Sequence, residues 1–151
     1  MEPVLDFTAF LSSSVVGGLV AGFITLRTSE RKIQIENVTQ ERAKWREKIR
    51  SKSIEVHQAA IARDSTKIDE LHLQFSLNLN PFDQEDQGIL AVIDTLKNRD
   101  TLDIKLLQFS DRVALLLKHD WERAKHEAKP LLLRWRSPKR TTYAKFKGII
   151  R

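Results

Sequence analysis

The sequence has no cysteine, five glycines, four prolines and a single tyrosine among its 151 residues. The absence of cysteine agrees with a reducing compartment and excludes a zinc site built on paired cysteines. The few glycines form no phosphate-binding loop, and no two histidines have the HExxH spacing of a metalloprotease. No nucleophile with a neighbouring general base is recognisable. The sequence therefore predicts no metal site, no cofactor and no catalytic residue of these kinds, and leaves four histidines to explain: His57, His72, His119 and His126.

Charged side chains are missing from one long run, residues 7–26, with the sequence FTAFLSSSVVGGLVAGFITL. At ~1.5 Å rise per residue, a helix of this length crosses the roughly 30 Å hydrocarbon core of a bilayer. A removable signal peptide would begin with basic residues, whereas Glu2 and Asp6 precede this run and no base does. We therefore expect a retained transmembrane helix, with a passive tether as the simplest role.

Basic residues follow the uncharged run directly, at Arg27, Arg31 and Lys32. Because lysine and arginine concentrate on the cytoplasmic side of a span, we expect the short N-terminus outside and the rest of the chain in the cytoplasm. Anionic lipid attracts such cations at roughly 1 kcal/mol each. Lipid rather than nucleic acid is therefore the expected partner of these three residues.

Small side chains recur every four positions in the uncharged run and form two neighbouring rows on a helix. Such rows let membrane helices approach closely, which matters because lipid offers no hydrophobic attraction between helices. The sequence thus predicts a homo-oligomer held together by its spans, an arrangement that a pore would also require. The rows are Ser14, Gly18 and Gly22, and Ser13, Gly17 and Ala21.

The balance of charge changes along the chain. Residues 27–63 carry ten bases and five acids, residues 64–129 carry nine bases and thirteen acids, and residues 130–151 carry seven bases and no acid. These shifts predict five segments: an extracytoplasmic N-terminus 1–6, a transmembrane helix 7–26, a basic juxtamembrane helix 27–63, a helical bundle 64–129 and a basic aromatic tail 130–151.

No stretch alternates apolar and polar residues with period two, so the fold class is predicted to be all-α. We expect an N-terminal transmembrane helix followed by a cytoplasmic antiparallel bundle of about four helices. The bundle helices are predicted at 30–63, at 65–79, after an N-cap at Asp83, and from Thr101 to 129. The apolar positions expected to face other helices are Ile35, Val38, Trp45, Ile49, Val56, Ala59, Ile68, Leu71, Phe75, Ile89, Leu90, Val92, Ile93 and Leu96.

The apolar seam of the first bundle helix is interrupted by three cations, Arg42, Lys52 and Arg63. A two-stranded coiled coil would not place three cations in its seam. We therefore expect this helix to pack against other helices of its own chain or within a larger ring.

The tail mixes aromatic and basic residues, a composition that suits either an anionic membrane surface or single-stranded nucleic acid. Lipid is the preferred partner, because the span holds the tail near the bilayer. The alternative is docking of residues 131–133, Trp135 and Phe146 on the bundle, with the cations left in solvent. Residues 139–151 are predicted to form a short basic helix. The cations expected at the membrane surface are Lys139, Arg140, Lys145 and Lys147.

Arg112 and His119 lie seven residues apart in the predicted fourth helix and so share one face of it. Their spacing resembles the Arg-x(4-6)-His signature of HEPN-type ribonucleases, four-helix proteins in which a dimer brings two such pairs together. The resemblance implies that His119 moves the 2′-hydroxyl proton while Arg112 stabilises phosphate charge. Val113 departs from the family pattern, which usually has a polar residue after the arginine, and a solvated helix face is the competing interpretation.

The order of elements also resembles a known group of proteins. A short N-terminus, a Ser/Gly-rich span, the basic helix TQERAKWREKIR at residues 39–50 and a compact helical domain are similar to small single-span proteins of bacterial anti-phage loci. Among these is the membrane accessory protein of type VI CRISPR systems, which has a degenerate HEPN-like domain and assembles into a ring-shaped pore. The resemblance implies a bacterial inner membrane location, with a CRISPR effector or RNA as a further partner.

Three functions are therefore expected. The first is an oligomeric single-pass membrane protein, an antiviral effector or enhancer that perturbs or permeabilises the inner membrane. The second is a membrane-tethered HEPN-like ribonuclease that uses Arg112 and His119. The third is an anchor or scaffold for a cytosolic partner.

Overall fold

The computed structural model describes the backbone of residues 4–98, 100–129 and 136–149, and their side chains apart from those of 4–15, Arg31 and Gln34. No strand occurs in these ranges, which confirms the predicted all-α class. The helices are α1 (Val4–Ala62), α2 (Ser65–Ser76), α3 (Gln84–Thr95), α4 (Leu102–Ala128) and α5 (Tyr143–Phe146).

Helix α1 is uninterrupted over 59 residues, so the helix predicted at 30–63 continues without a break from the uncharged run. The chain divides into two compact units, Met1–Glu41 and Arg42–Arg151, and α1 belongs to both. Within the ranges that the structure describes, no helix is long and apolar enough to cross a membrane. The first nine positions of the predicted span, 7–15, lie outside the described side chains.

Helix α1 ends in a tight turn at Arg63 and Asp64. The backbone N–H of Arg63 donates to the carbonyl of Ala60 at 3.2 Å and that of Asp64 to Ala59 at 3.0 Å, the two bonds of a Schellman motif. Arg63 has a φ of 60°, in the left-handed region that glycine favours because an L side chain costs roughly 1 kcal/mol there. Asp64 then caps α2, its carboxylate accepting from the N–H of Lys67 at 2.9 Å.

One apolar core fills the second unit, and most of the predicted core positions are in it. The rings of Phe75 on α2 and Phe109 on α4 meet edge to face with their centroids 5.8 Å apart. The last part of α1 packs against its own chain, which was one of the two predicted possibilities. Trp45 and Leu90 pack against this core from a half-buried position. The buried members include Ile49, Val56, Ala59, Ile68, Leu71, Phe75, Ile89, Val92, Ile93 and Leu96.

The start of α3 confirms the predicted cap. One carboxylate oxygen of Asp83 accepts from the N–H groups of Glu85 at 2.8 Å and of Asp86 at 3.2 Å. One turn later α3 passes very close to α4, since a Cβ built on Gly88 would lie 2.3 Å from Nη1 of Arg112. A glycine is therefore required at this crossing unless the arginine moves.

The prediction of a basic helix over 139–151 is wrong in extent, because only the four residues of α5 are helical in the described part of the tail. Thr142 has an extended backbone, with a φ of −75° and a ψ of 152°, so the helix begins only after it. Thr142 caps α5 through a bond from the N–H of Lys145, and Gly148 ends the turn with a φ of 71°. The predicted anchors 131–133 and Trp135 lie outside the described residues.

Candidate functional site at His119

A polar cleft of about 220 Å³ lies where α1, the start of α3, α4 and the segment before α5 meet. Helix α4 supplies polar residues from two consecutive turns, and the connection between α2 and α3 supplies two asparagines. We refer to this site as the polar cleft. Its lining residues are Arg42, Trp45, Asn78, Asn80, Asp83, Asp86, Leu116, His119, Asp120, Arg123 and Arg140.

Arg140 forms a two-armed ion pair in the polar cleft. Its Nη1 lies 2.8 Å from Oδ1 of Asp83 and its Nη2 lies 2.7 Å from Oδ1 of Asp86. The Arg140 side chain is 13% exposed and that of Asp86 is 6% exposed. Burial acts to raise the pKa of Asp83, but the charge and hydrogen bond of Arg140, with the N–H groups of Asp86 and Glu85, outweigh it and lower that pKa. Asp83 is therefore ionised at neutral pH and holds Arg140 in place.

His119 is half-buried on α4. Burial lowers the pKa of its imidazole below the ordinary 6.5, and the positive charges of Arg140 and Arg123 lower it further against the opposing effect of Asp83 and Glu122. Nδ1 of this ring is buried and has no hydrogen-bond partner within the described part of the chain. The ring is thus neutral at pH 7, the state in which an imidazole can accept a proton.

The lowered pKa of His119 predicts how the stability of the fold changes with pH. The pKa of His119 is lower in the folded chain than in the unfolded chain, so the unfolded chain binds the proton more readily. The contribution of neutral His119 to the free energy of unfolding is therefore present in full above pH 6.5. It is lost as the pH falls through the folded pKa. We expect His119→Gln to lose less stability than the wild type between about pH 8 and about pH 5.5, measured by urea unfolding. His57→Gln, at an exposed position on α1, is the control and should lose as much as the wild type. Equal losses in wild type and His119→Gln would contradict the assignment.

The other side of the polar cleft is a second ion-pair network. Nη1 of Arg46 lies 2.8 Å from Oδ2 of Asp120, and Nη1 of Arg42 lies 2.8 Å from a carboxylate oxygen of Glu127. The cation at position 42, which interrupted the predicted apolar seam, therefore has acidic partners across on α4. The indole N–H of Trp45 donates to the carbonyl of Asn78 at 3.1 Å.

Arg112 lies about two helical turns from His119 and is bound by other residues. Its Nη1 lies 3.1 Å from Oε2 of Glu85, and its guanidinium lies 4.3 Å from the centre of the Tyr143 ring. The same Glu85 oxygen accepts the backbone N–H of Tyr143 at 3.0 Å. Arg112 thus joins α3, α4 and α5, and this contact explains why it approaches Gly88 so closely.

The predicted pair does lie on one side of α4, the side on which residues 140–147 pack. The structure gives the two side chains different neighbours, however: Arg112 contacts Tyr143 and Glu85, whereas His119 lines the polar cleft with Arg140. The C-terminal segment, residues 136–149, thus contacts Arg112 through Tyr143 and supplies Arg140 to the cleft that His119 lines. No sequence signal marked Arg140 as the neighbour of His119, since the contact joins two distant segments.

The cations predicted at the membrane surface fall into two groups. Arg140 is in the polar cleft, and Lys147 pairs with Asp111 at 2.6 Å, so these two are bound to the bundle. Lys139 and Lys145 are exposed, as is Lys32. Arg27 lies over the Phe23 ring at 5.1 Å, and the side chain of Arg31 is outside the described ones.

The predicted alternative for the tail placed aromatic residues on the bundle and left its cations in solvent. In the described part of the tail, Arg140, Lys147 and Tyr143 contact the bundle, while Phe146 is half exposed. The acidic start of α3 attracts Arg140, and Asp111 on α4 attracts Lys147.

Comparisons with protein-family models, curated proteins and solved structures find no match to this chain. Its function is therefore inferred from the residues themselves.

Proposed function

We propose that this chain is a single-pass membrane protein that self-associates through the uncharged part of α1 and carries a cytoplasmic helical domain, residues 42–149. One observation carries the proposal. The described apolar side chains at the end of the uncharged run are exposed, including Leu19, Phe23 and Leu26, and no charged residue lies between 7 and 26. In water an exposed apolar surface of this kind is unfavourable, whereas lipid would cover it.

The glycines of the run support self-association. A Cβ added to Gly17, Gly18 or Gly22 would meet nothing within 4 Å, so contacts among the described residues do not require these positions to be small. Each glycine inside a helix costs roughly 0.5–1 kcal/mol relative to alanine. Close packing of a second copy along this face would offset that cost.

Membrane insertion is tested by extraction. We expect the wild-type chain to stay with membranes through alkaline carbonate, and Val16→Arg/Val20→Arg to be released, because each arginine at a helix centre costs roughly 2.5–3.5 kcal/mol of insertion. The control is Glu36→Arg/Val38→Arg, which adds the same residues beyond the run and should stay with the membrane. Release of the wild type would overturn the proposal.

The resemblance to anti-phage membrane proteins extends this proposal to antiviral defence. Assembled spans would then perturb or permeabilise the bacterial inner membrane, and the cytoplasmic domain would receive the signal from an effector or RNA. Dye entry into cells expressing the chain, with and without phage infection, measures this step. Expression that never admits dye, in either condition, would favour an anchor or scaffold for a cytosolic partner.

The second candidate is the membrane-tethered HEPN-like ribonuclease, and a specific observation favours it. His119 is neutral and lies beside Arg123 and Arg140, and an imidazole with guanidinium groups is a combination that can act on a phosphodiester. Against it, Arg112 is engaged by Glu85 and Tyr143.

We expect purified chain to show no RNA cleavage, because Arg112 is engaged by Glu85 and the Tyr143 ring and does not line the cleft that contains His119. The measurement is a cleavage assay on labelled single-stranded RNA with wild type, His119→Ala and the control His72→Ala. Cleavage that disappears in His119→Ala and persists in His72→Ala would promote the ribonuclease to first place.

A further inference from the structure

A second cavity, of about 680 Å³, opens between the end of α1, the start of α2, the end of α3 and the start of α4. We refer to it as the basic cavity. Part of its lining is aliphatic, from the buried side chains of Ala60, Ile68 and Leu96 and the half-buried Leu102. Its volume lies in the range of roughly 300–1,000 Å³ that is typical of small-molecule sites.

The exposed part of the lining is polar and basic. Arg63 and Lys97 are its two charged residues, with Ser65 and Asn98 beside them, and no acid lines the cavity among the described residues. Lys97 also pairs with Asp69 outside the lining. An arginine fork and an ammonium group, with hydroxyl and amide donors, form a set of groups suited to a phosphate.

The backbone of Arg63 is a second observation that points to this cavity. Arg63 occupies the left-handed position of the Schellman motif that ends α1, where glycine would avoid strain. A strained residue that keeps a long basic side chain at a cavity is a feature of functional sites. The strain is confined to the backbone of Arg63. Its effect on stability can therefore be measured separately from the effect of the Arg63 side chain on binding.

We propose that the basic cavity binds a small organic phosphate with an aliphatic body. Arg63 binds the phosphate through its fork of N–H donors, and Lys97, which is paired with Asp69, adds N–H donors from its ammonium group. The aliphatic lining receives the body of the ligand and excludes water from it. No aromatic ring lines the cavity among the described residues, so a nucleobase would have none to stack on.

The test uses hexyl phosphate as the probe and isothermal titration calorimetry on the full chain in a neutral detergent. We expect saturable binding of hexyl phosphate, at least tenfold weaker binding of inorganic phosphate, and no binding of hexanol. Arg63→Ala and Lys97→Gln should each weaken the binding of hexyl phosphate at least tenfold. The matched control Arg50→Ala removes an exposed arginine of α1 that does not line the cavity, and should bind as the wild type does.

Arg63→Gly separates binding from folding. Glycine removes the strain at this position, so the melting temperature should rise by about 4 °C while hexyl phosphate binding falls at least tenfold. Unchanged affinity in Arg63→Gly, or equal affinity for hexyl phosphate and inorganic phosphate, would overturn the proposal. Dihexanoyl phosphatidic acid distinguishes the source: tighter binding than hexyl phosphate assigns the cavity to a lipid phosphate, and weaker binding assigns it to a soluble one.

Discussion

Arg140→Ala should lower the free energy of unfolding by about 3 kcal/mol, because removing one partner of a buried ion pair leaves the other charges uncompensated. The carboxylates of Asp83 and Asp86 would both lose their ion-pair partner, and Asp86 is almost fully buried. Urea or thermal unfolding of the second unit's helices, followed by circular dichroism, measures the loss.

The matched control is Lys139→Ala, which removes the neighbouring exposed cation and should change stability by less than about 0.5 kcal/mol. A restoring variant sharpens the test. Arg140→Met with Asp83→Asn and Asp86→Asn removes all three charges, and it should recover part of the stability lost in Arg140→Ala. If Arg140→Ala were as stable as the wild type, the ion pair of Arg140 with Asp83 and Asp86 would not stabilise the fold.

Gly18→Leu/Gly22→Leu should break the homo-oligomer down to smaller species while the chain still inserts into membranes. Leucine is at least as apolar as glycine, so insertion is preserved, but its side chain keeps neighbouring helices apart. We expect association to weaken by at least tenfold, which corresponds to about 1.4 kcal/mol. Mass photometry of the detergent-solubilised chain measures the oligomer, and dye leakage from vesicles measures membrane perturbation.

A control that also places two leucines in the run lies on the opposite face of the same helix. Val16→Leu/Phe23→Leu keeps the run apolar without touching either small-residue row, and it should keep the wild-type oligomer. If Gly18→Leu/Gly22→Leu kept the wild-type oligomer size and the wild-type leakage, the small-residue rows would not be the contact between copies. A wild-type chain that is monomeric would favour the anchor or scaffold.

Local patterns predicted the helices and their inner faces well. Asp83 was recognisable as a cap because its side chain acts on residues two and three positions away, and Phe75 because helical periodicity places it with Ile68 and Leu71. The left-handed position after a helix is usually glycine or asparagine, so the sequence did not predict this conformation for Arg63. The turn between α1 and α2 imposes it, and α1 ends there although the residue is an arginine.

The candidate site was less predictable, because its contacts join distant segments. The tail has seven bases and no acid, and the middle of the chain is acidic, so attraction between them could be anticipated from charge alone. Which base meets which acid depends on the packed fold. Arg140 rather than Lys139 reaches Asp83 and Asp86, and the reason for Gly88 becomes visible only with Arg112 against it.

The bond from Arg140 back to Asp83 and Asp86 also sets an order of events during synthesis. At typical translation rates of roughly 5–20 residues per second, the ribosome adds Arg140 several seconds after Asp86. Until then the start of α3 holds two acids that cannot be buried without their partner. The start of α3 therefore cannot complete its ion pairs for as long as the tail is still being made.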